Sequence, residues 1–104
     1  MSKQSSLFPK GANDKLRLVS ATMRALSHPL RLQMLQLLDV EAGACVRTIY
    51  QTLAIEQSVA SQHLRILRLA DLVMPERRGK FTFYNVNYSR VKKGKLAAAV
   101  FNQE

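Results

Sequence analysis

The sequence predicts a mainly α-helical domain of the α+β class, with about five helices and a two-stranded β-hairpin. Apolar residues recur at helical spacing through most of the chain. Two β-prone runs flank Arg78-Gly79, where glycine can supply the positive φ of a tight turn. The 104 residues include a single cysteine, so we expect one domain without a disulfide framework. Residues 1–12 are expected to form a flexible N-terminal arm, and residues 13–104 the folded domain.

The predicted helices are separated by residues that disfavour helical geometry. Pro29 restricts His28 to extended conformations and itself suits the first position of a helix, so one helix ends and the next begins there. The second helix is expected to end before Gly43, and residues 54–56 form a turn between the third and fourth. These boundaries and the apolar spacing predict five helices, at about residues 13–26, 29–42, 46–53, 57–68 and 90–102.

The β-prone runs cover residues 72–77 and 80–87, and they predict the two strands of the hairpin. Pro75 has no backbone N–H donor, which confines the first strand to the edge of a sheet or places Pro75 at its start. The second strand contains three aromatic residues, which we expect to pack against the core because strands usually bury such side chains: Phe81, Phe83 and Tyr84.

The fourth predicted helix is amphipathic, and its polar side contains no carboxylate. At about 100° per residue, Ala60, Leu64 and Leu67 fall on one arc, with His63 at its border. Two hydroxyls, an amide and two guanidinium groups fall on the opposite arc, at Ser58, Ser61, Gln62, Arg65 and Arg68. Solvated helix faces normally carry charges of both signs, so this face indicates an anionic partner. A merely solvated surface is the alternative.

The net charge also indicates an anionic partner. Sixteen Lys and Arg residues against seven Asp and Glu give a formal charge of +9, and the excess is concentrated between residues 57 and 95. Nucleic acid or an anionic membrane surface fits such a charge. No apolar run approaches the ~20 residues of a membrane span, and the N-terminus lacks the features of a secretory signal. We therefore expect a cytoplasmic protein without a membrane partner.

The order of the elements predicts a winged helix-turn-helix: a helix, a short turn, a helix with a polar cationic face, and a basic hairpin. The second helix of such a pair lies in the DNA major groove, where small side chains permit close approach and longer ones reach bases and phosphates. For His63, a packed, hydrogen-bonded side chain is an equally good interpretation. The candidate DNA-binding residues are Gln57, Ser58, Ser61, Gln62, His63, Arg65, Arg68, Arg77, Arg78 and Lys80.

Three stretches resemble the ArsR/SmtB family of small bacterial winged-helix repressors. The run S-x-H-L-x-x-L begins at Ser61, and Gly79 and Tyr84 follow it in the spacing G-x-x-x-x-Y. The resemblance implies a repressor that binds a palindromic operator and releases it on meeting an effector. The three stretches are residues 25–38 (ALSHPLRLQMLQLL), 53–73 (LAIEQSVASQHLRILRLADLV) and 77–86 (RRGKFTFYNV).

The same resemblance implies a homodimer assembled mainly from the first and last helices. Both helices carry more apolar residues than a small core should need, and two-fold partners bury such stripes together. These residues are Leu16, Val19 and Met23 on the first helix and Val91, Leu96, Ala99 and Val100 on the last.

The chain departs from both metal sites that are common in this family. One site uses Cys-x-Cys near the start of the third helix, but Cys45-Val46-Arg47 places a cation at the second position. The other uses histidine and carboxylate ligands on the last helix, but beyond Asn87 there is no histidine and the only acid is Glu104. We therefore expect no metal and no other cofactor. Cys45 is a candidate thiol sensor, because Arg47 and a helix start favour the thiolate, and an inert half-buried cysteine is the alternative.

The sequence predicts a DNA-binding regulator and not an enzyme. No nucleophile elbow, phosphate-binding glycine loop or paired carboxylates accompany its Ser, Cys and His residues. The effector and the regulated genes are not identified by any motif. A second class stays open, in which the winged-helix module binds an acidic protein or RNA. A dimeric reader of duplex DNA is distinguished by its preference for a palindrome and its steep salt dependence.

Overall fold

A computed structural model describes residues 12–91 of the protein. Within this range the chain forms five helices and a three-stranded antiparallel sheet, which confirms the predicted fold class. Most of the predicted arm and most of the predicted last helix lie outside the described residues. The elements are α1 (Ala12–Leu26), α2 (Pro29–Glu41), β1 (Ala44–Cys45), α3 (Val46–Thr52), α4 (Gln57–Leu69), β2 (Val73–Arg78), β3 (Phe81–Val86) and α5 (Tyr88–Val91).

The corner between α1 and α2 is formed by His28 and Pro29, as predicted. Pro29 takes the first position of α2, and His28 is its N-cap residue in an extended conformation. The His28 Nδ1 atom accepts a hydrogen bond from the Leu30 backbone N–H at 3.1 Å. This bond satisfies one of the backbone donors that a helix start leaves without a partner.

The end of α2 depends on a glycine that lies close to the sheet. Ala42 and Gly43 both have positive φ, at 56° and 100°. The Gly43 backbone N–H donates to the Leu38 carbonyl at 2.9 Å and closes the helix end. A Cβ atom on Gly43 would lie 2.3 Å from the Asn85 Oδ1 atom, so the approach of β3 requires glycine at this position.

The sheet has the strand order β1-β3-β2, with β3 in the centre. β2 and β3 form the predicted hairpin, and their bounds differ from the predicted ones by one residue at each end. Pro75 lies on the edge strand β2, in agreement with its missing donor. β1 is an additional strand, which pairs Ala44 with Tyr84 and Cys45 with Phe83. The two-stranded prediction misses it because two residues are too few to show a β pattern.

The core fills the space between the helices and the inner face of the sheet. Val91, the last residue of α5, is fully buried in the core of the single chain. This corrects the prediction that Val91 adds to an apolar dimer surface. The largest fully buried side chains are Met34, Leu35, Leu38, Ile49, Leu64, Leu67, Leu72, Val73 and Val91. Among residues 12–91, no helix is both long enough and apolar enough to cross a bilayer.

The aromatic residues of β3 have different environments. Tyr84 packs against the core, as predicted. Phe81 is 55% exposed, which contradicts the prediction that it packs on the core. The reason is its position: Phe81 lies beside the turn, opposite Arg78, and three positions before Tyr84, so the two side chains leave opposite faces of the strand.

The glycine at the end of α2 provides a test of the packing between α2 and β3. In Gly43→Ala, the new methyl group meets both an unfavourable φ and the Asn85 side chain, so we expect the free energy of unfolding to fall by more than the ~1–2 kcal/mol cost of a left-handed residue. Gly79→Ala is the matched control, because its φ is 62° and no atom lies within 4 Å of the new Cβ. Urea denaturation measures both losses, and equal losses would contradict the proposed close approach.

Candidate nucleic-acid interface

The polar face of α4 is exposed along the whole helix. The apolar arc is buried, since Ala60, Leu64 and Leu67 have at most 1% exposure. This division confirms that α4 is amphipathic, with a surface that has hydroxyl, amide and guanidinium groups and no carboxylate. The exposed polar residues are Gln57, Ser58, Ser61, Gln62, Arg65 and Arg68.

A short turn presents the N-terminus of α4 to solvent. Ala54 takes a positive φ of 57°, and the Ile55 backbone N–H donates to the Tyr50 carbonyl at 3.0 Å. Glu56 is the N-cap residue of α4, but its side chain makes no capping hydrogen bond. The first backbone N–H groups of α4 therefore keep their capacity to bind an anion.

Behind α4 lies a buried cation that the sequence analysis missed. Arg31 is 6% exposed and belongs to α2. Its Nε donates to the Ala25 carbonyl at 2.9 Å and one terminal nitrogen donates to the Arg24 carbonyl at 2.8 Å. Both acceptors are in the last turn of α1, where the helix dipole favours positive charge. Burial, and to a lesser extent Arg24, lowers the pKa of Arg31, but a guanidinium stays protonated in proteins.

The other terminal nitrogen of Arg31 links this cation to His63 of α4. The distance to the His63 Nδ1 atom is 3.1 Å. Because a guanidinium can only donate, Nδ1 must accept, and the histidine proton is then on Nε2. The His63 ring is half-buried and lies 4.6 Å from the His28 ring between centroids. The structure therefore shows a packed, hydrogen-bonded His63, in which only Nε2 is left to donate to a partner.

The environment of His63 disfavours its protonation. Burial is the largest cause that lowers its pKa, and the nearby His28 and Arg31 lower it further. A proton on Nδ1 would also face the Arg31 guanidinium directly. His63 is therefore neutral at pH 7 and adds no charge to the cationic face.

The hairpin tip holds three exposed cations, Arg77, Arg78 and Lys80. The Arg77 Nε donates to the Gly79 carbonyl at 3.1 Å. A terminal nitrogen of Arg78 lies 3.0 Å from the Glu76 Oε1 atom, and the guanidinium carbon of Arg78 lies 4.5 Å from the centre of the Phe83 ring. The three predicted tip residues thus lie together, but Arg78 has local partners that the sequence analysis did not anticipate.

Cys45 is placed away from the polar face of α4. It is a half-buried free thiol that pairs with Phe83 in the sheet and occupies the N-cap position of α3. Its Sγ atom lies 3.5 Å from the Thr48 hydroxyl, and this hydrogen bond is the main cause that lowers the pKa of the thiol. In the part of the chain that the structure describes, no three His, Cys, Asp or Glu residues are grouped so that they could hold a metal ion.

The neutral state of His63 makes the stability of the fold dependent on pH. Its pKa is lowered from 6.5, so the unfolded chain binds more protons and stability rises with pH. The contribution is complete above pH 6.5 and is lost as the pH falls through the folded pKa. We expect urea denaturation to give a lower free energy of unfolding near pH 5 than near pH 7.5. His63→Gln retains an acceptor for Arg31 but cannot titrate, so its pH dependence should be smaller; an unchanged dependence would contradict this explanation.

Comparison with known proteins supports the same fold and a regulatory role. The model of a helix-turn-helix domain family matches residues 26–76. The uncharacterized HTH-type transcriptional regulator YbzH of Bacillus subtilis is 40% identical, over 71% of this chain and 86% of that protein. The HTH-type transcriptional repressor SmtB of Mycobacterium tuberculosis is 36% identical, over 62% of this chain and 47% of the length of SmtB. Both names describe transcriptional regulators of the helix-turn-helix type.

A solved structure extends the likeness to three dimensions. The homodimeric winged helix-turn-helix DNA-binding domain of Mb0332 from Mycobacterium bovis, a possible ArsR-family transcriptional regulator, matches with a TM-score of 0.72. The identity is 26%, and the match covers 81% of this chain and 77% of that one. The sequence relatives of the chain and the Mb0332 domain share one fold and one class of function. The chain therefore belongs to the ArsR/SmtB family of winged helix-turn-helix transcriptional regulators.

Proposed function

We propose that the protein is a dimeric cytoplasmic repressor that binds a palindromic operator in duplex DNA. The observation that carries this proposal is the exposed face of α4, which combines short hydroxyl side chains, amides and guanidinium groups and has no carboxylate. A phosphate backbone attracts such a face, and a carboxylate would repel it. The net charge of +9 and the basic hairpin tip act in the same direction.

The residues of α4 divide into two roles by their length and chemistry. Ser58 and Ser61 allow close approach of the helix to the floor of the major groove. Gln57 and Gln62 can pair with base edges, and Arg65 and Arg68 can reach phosphates or guanine. His63 contributes at most a hydrogen bond from Nε2, because Arg31 occupies its Nδ1 atom.

The dimer is proposed to form through α1 together with the predicted last helix, which falls mostly outside the described residues. The α1 side chains Leu16, Val19 and Met23 are 57%, 54% and 67% exposed in the single chain. An apolar stripe of this kind is costly in water, and a second copy related by a two-fold axis would bury it against its own counterpart. The homodimeric state of the Mb0332 domain supports the same arrangement.

The effector is proposed not to be a metal ion bound at either of the sites common in the family. Arg47 replaces the second cysteine of one site, and the sequence has no histidine beyond His63 for the other. Cys45 stays a candidate thiol sensor, since its hydrogen bond to Thr48 favours the thiolate. Its pairing with β3 would connect a change at this thiol to the hairpin.

Base-reading and phosphate-contacting residues should respond differently to mutation. We expect Gln62→Ala to lose about 1–3 kcal/mol of discriminating binding free energy at one base step of each half-site and to leave non-specific binding nearly unchanged. Arg65→Ala or Arg68→Ala, if the arginine contacts phosphate, should weaken binding to all duplexes and lower the salt slope by about one per contact. Titrations against specific and scrambled duplexes at several salt concentrations measure both effects.

The matched control is Gln33→Ala, which removes an exposed amide from α2, away from the proposed contact face. Its operator affinity and salt slope should equal those of the wild type. If alanine at Ser61, Gln62, Arg65 and Arg68 together leaves duplex affinity unchanged, α4 does not read DNA. Binding to an acidic protein or to RNA then becomes the leading alternative.

The dimer is tested by placing a charge on the exposed stripe of α1. Met23→Asp should leave the fold of the single chain intact, because Met23 is 67% exposed, but it should disfavour burial against a second copy. Sedimentation at micromolar concentration should show two chains for the wild type and one for the variant, with weaker operator binding. Val40→Asp, at a position that is 79% exposed on α2, is the control and should stay dimeric. A monomeric wild type would refute the proposed dimer.

A further inference from the structure

The two arginines of the hairpin tip leave opposite faces of the sheet. In the antiparallel register, Arg77 is paired with Thr82 and Arg78 with Phe81. Successive side chains of a strand point to opposite faces, whereas paired residues share a face. Arg77 and Arg78 therefore belong to surfaces with different neighbours, although they are adjacent in the sequence.

The face that carries Arg77 is the inner face, which packs on the helices. Val73 and Val86 lie on this face and are only 1% and 3% exposed, and Tyr84 of the same face packs against the core. α4 packs directly against β2. Towards the tip, the inner face continues beyond the buried core residues, on the side of the sheet that packs on the helices. Its side chains there are Arg77 and Thr82, without a carboxylate.

The face that carries Arg78 is the outer face, and it contains the only ion pair found among residues 12–91. The Glu76 Oε1 atom accepts from Arg78 at 3.0 Å and from the Asn85 side-chain amide at 3.3 Å. The Arg78 guanidinium also stacks over the Phe83 ring. Each contact is weak on an exposed surface, but together they favour one position of Arg78.

We propose that the wing contacts the DNA backbone through Arg77, and that Glu76 is a positioning residue that keeps Arg78 on the outer face, away from the duplex. This inference rests on the proposed DNA-binding function and narrows the predicted set of three tip contacts. Glu76 limits the number of phosphates that each wing neutralises. It therefore lowers the affinity for all duplexes equally and leaves sequence discrimination to α4.

The inference predicts different salt slopes for two neighbouring arginines. Arg77→Ala should lower the slope of log affinity against log salt by about one per wing, which is about two for a dimer. Arg78→Ala should leave the slope unchanged. Both side chains are exposed, so circular dichroism should show the same fold for both variants. Fluorescence anisotropy with a labelled operator and with a scrambled duplex measures the slopes.

The role of Glu76 is tested by a double-mutant cycle. Glu76→Gln should raise affinity for both duplexes and increase the slope by up to one per wing, because Arg78 is then free to reach a phosphate. Adding Arg78→Ala should remove this gain. If the gain persists in the double variant, it comes from the loss of a repulsive charge, and the positioning role is wrong.

Two further outcomes are decisive. If the salt slope of Arg78→Ala falls as far as that of Arg77→Ala, the assignment of the backbone contact to Arg77 and not Arg78 is wrong, while the proposed DNA-binding function stands. A wild-type protein that binds neither duplex in a salt-dependent way would overturn the proposed function and this inference together. The wild-type titration therefore separates the two failures.

Discussion

The arrangement of the helices depends on the burial of Arg31. A buried charge is costly unless its donors are satisfied, and breaking one such contact leaves an uncompensated charge in the interior. Arg31 belongs to α2, its two carbonyl acceptors belong to the last turn of α1, and its third partner, His63, belongs to α4. The three helices cannot move apart without exposing or orphaning the guanidinium. The position of α4 is thus fixed relative to the end of α1 as well as by the packing of the apolar core.

This connection joins the two proposed surfaces of the protein. α1 carries the exposed apolar stripe proposed for dimer contact, and α4 carries the polar face proposed for DNA. Two recognition helices of a dimer must lie about 34 Å apart to enter successive major grooves. The hydrogen bonds of Arg31 connect α1 to α4 through α2, and they restrict the movement of α4 relative to α1. In the proposed dimer, the separation of the two recognition helices would therefore be set inside each chain as well as at the contact between the chains.

The helices and the hairpin follow closely from the sequence because periodicity and boundary residues act locally. Pro29, Gly43 and Gly79 mark the predicted boundaries, and the exposed arc of α4 agrees with its helical projection. β1 is too short to predict, and the ion pair of Glu76 depends on a register that only the folded hairpin defines. Arg31 had a detectable signal: it precedes Met34, Leu35 and Leu38 by three, four and seven residues, on the arc that is buried. A charge on that arc needs a tertiary partner, and the sequence does not identify which one.

The third strand of the sheet has a consequence for the footprint on DNA. β1 pairs with the middle of β3 just before α3 begins, so the hairpin is fixed to the helix-turn-helix as far as Phe83. Residues added to both strands beyond this pairing would therefore move the tip further from the helices. Two extra residues in each strand would preserve the alternation of faces and carry the tip about 6.6 Å further, which is roughly two base pairs along a duplex. In the proposed complex, the length of the hairpin thus determines how far each half-site extends beyond the bases that α4 contacts.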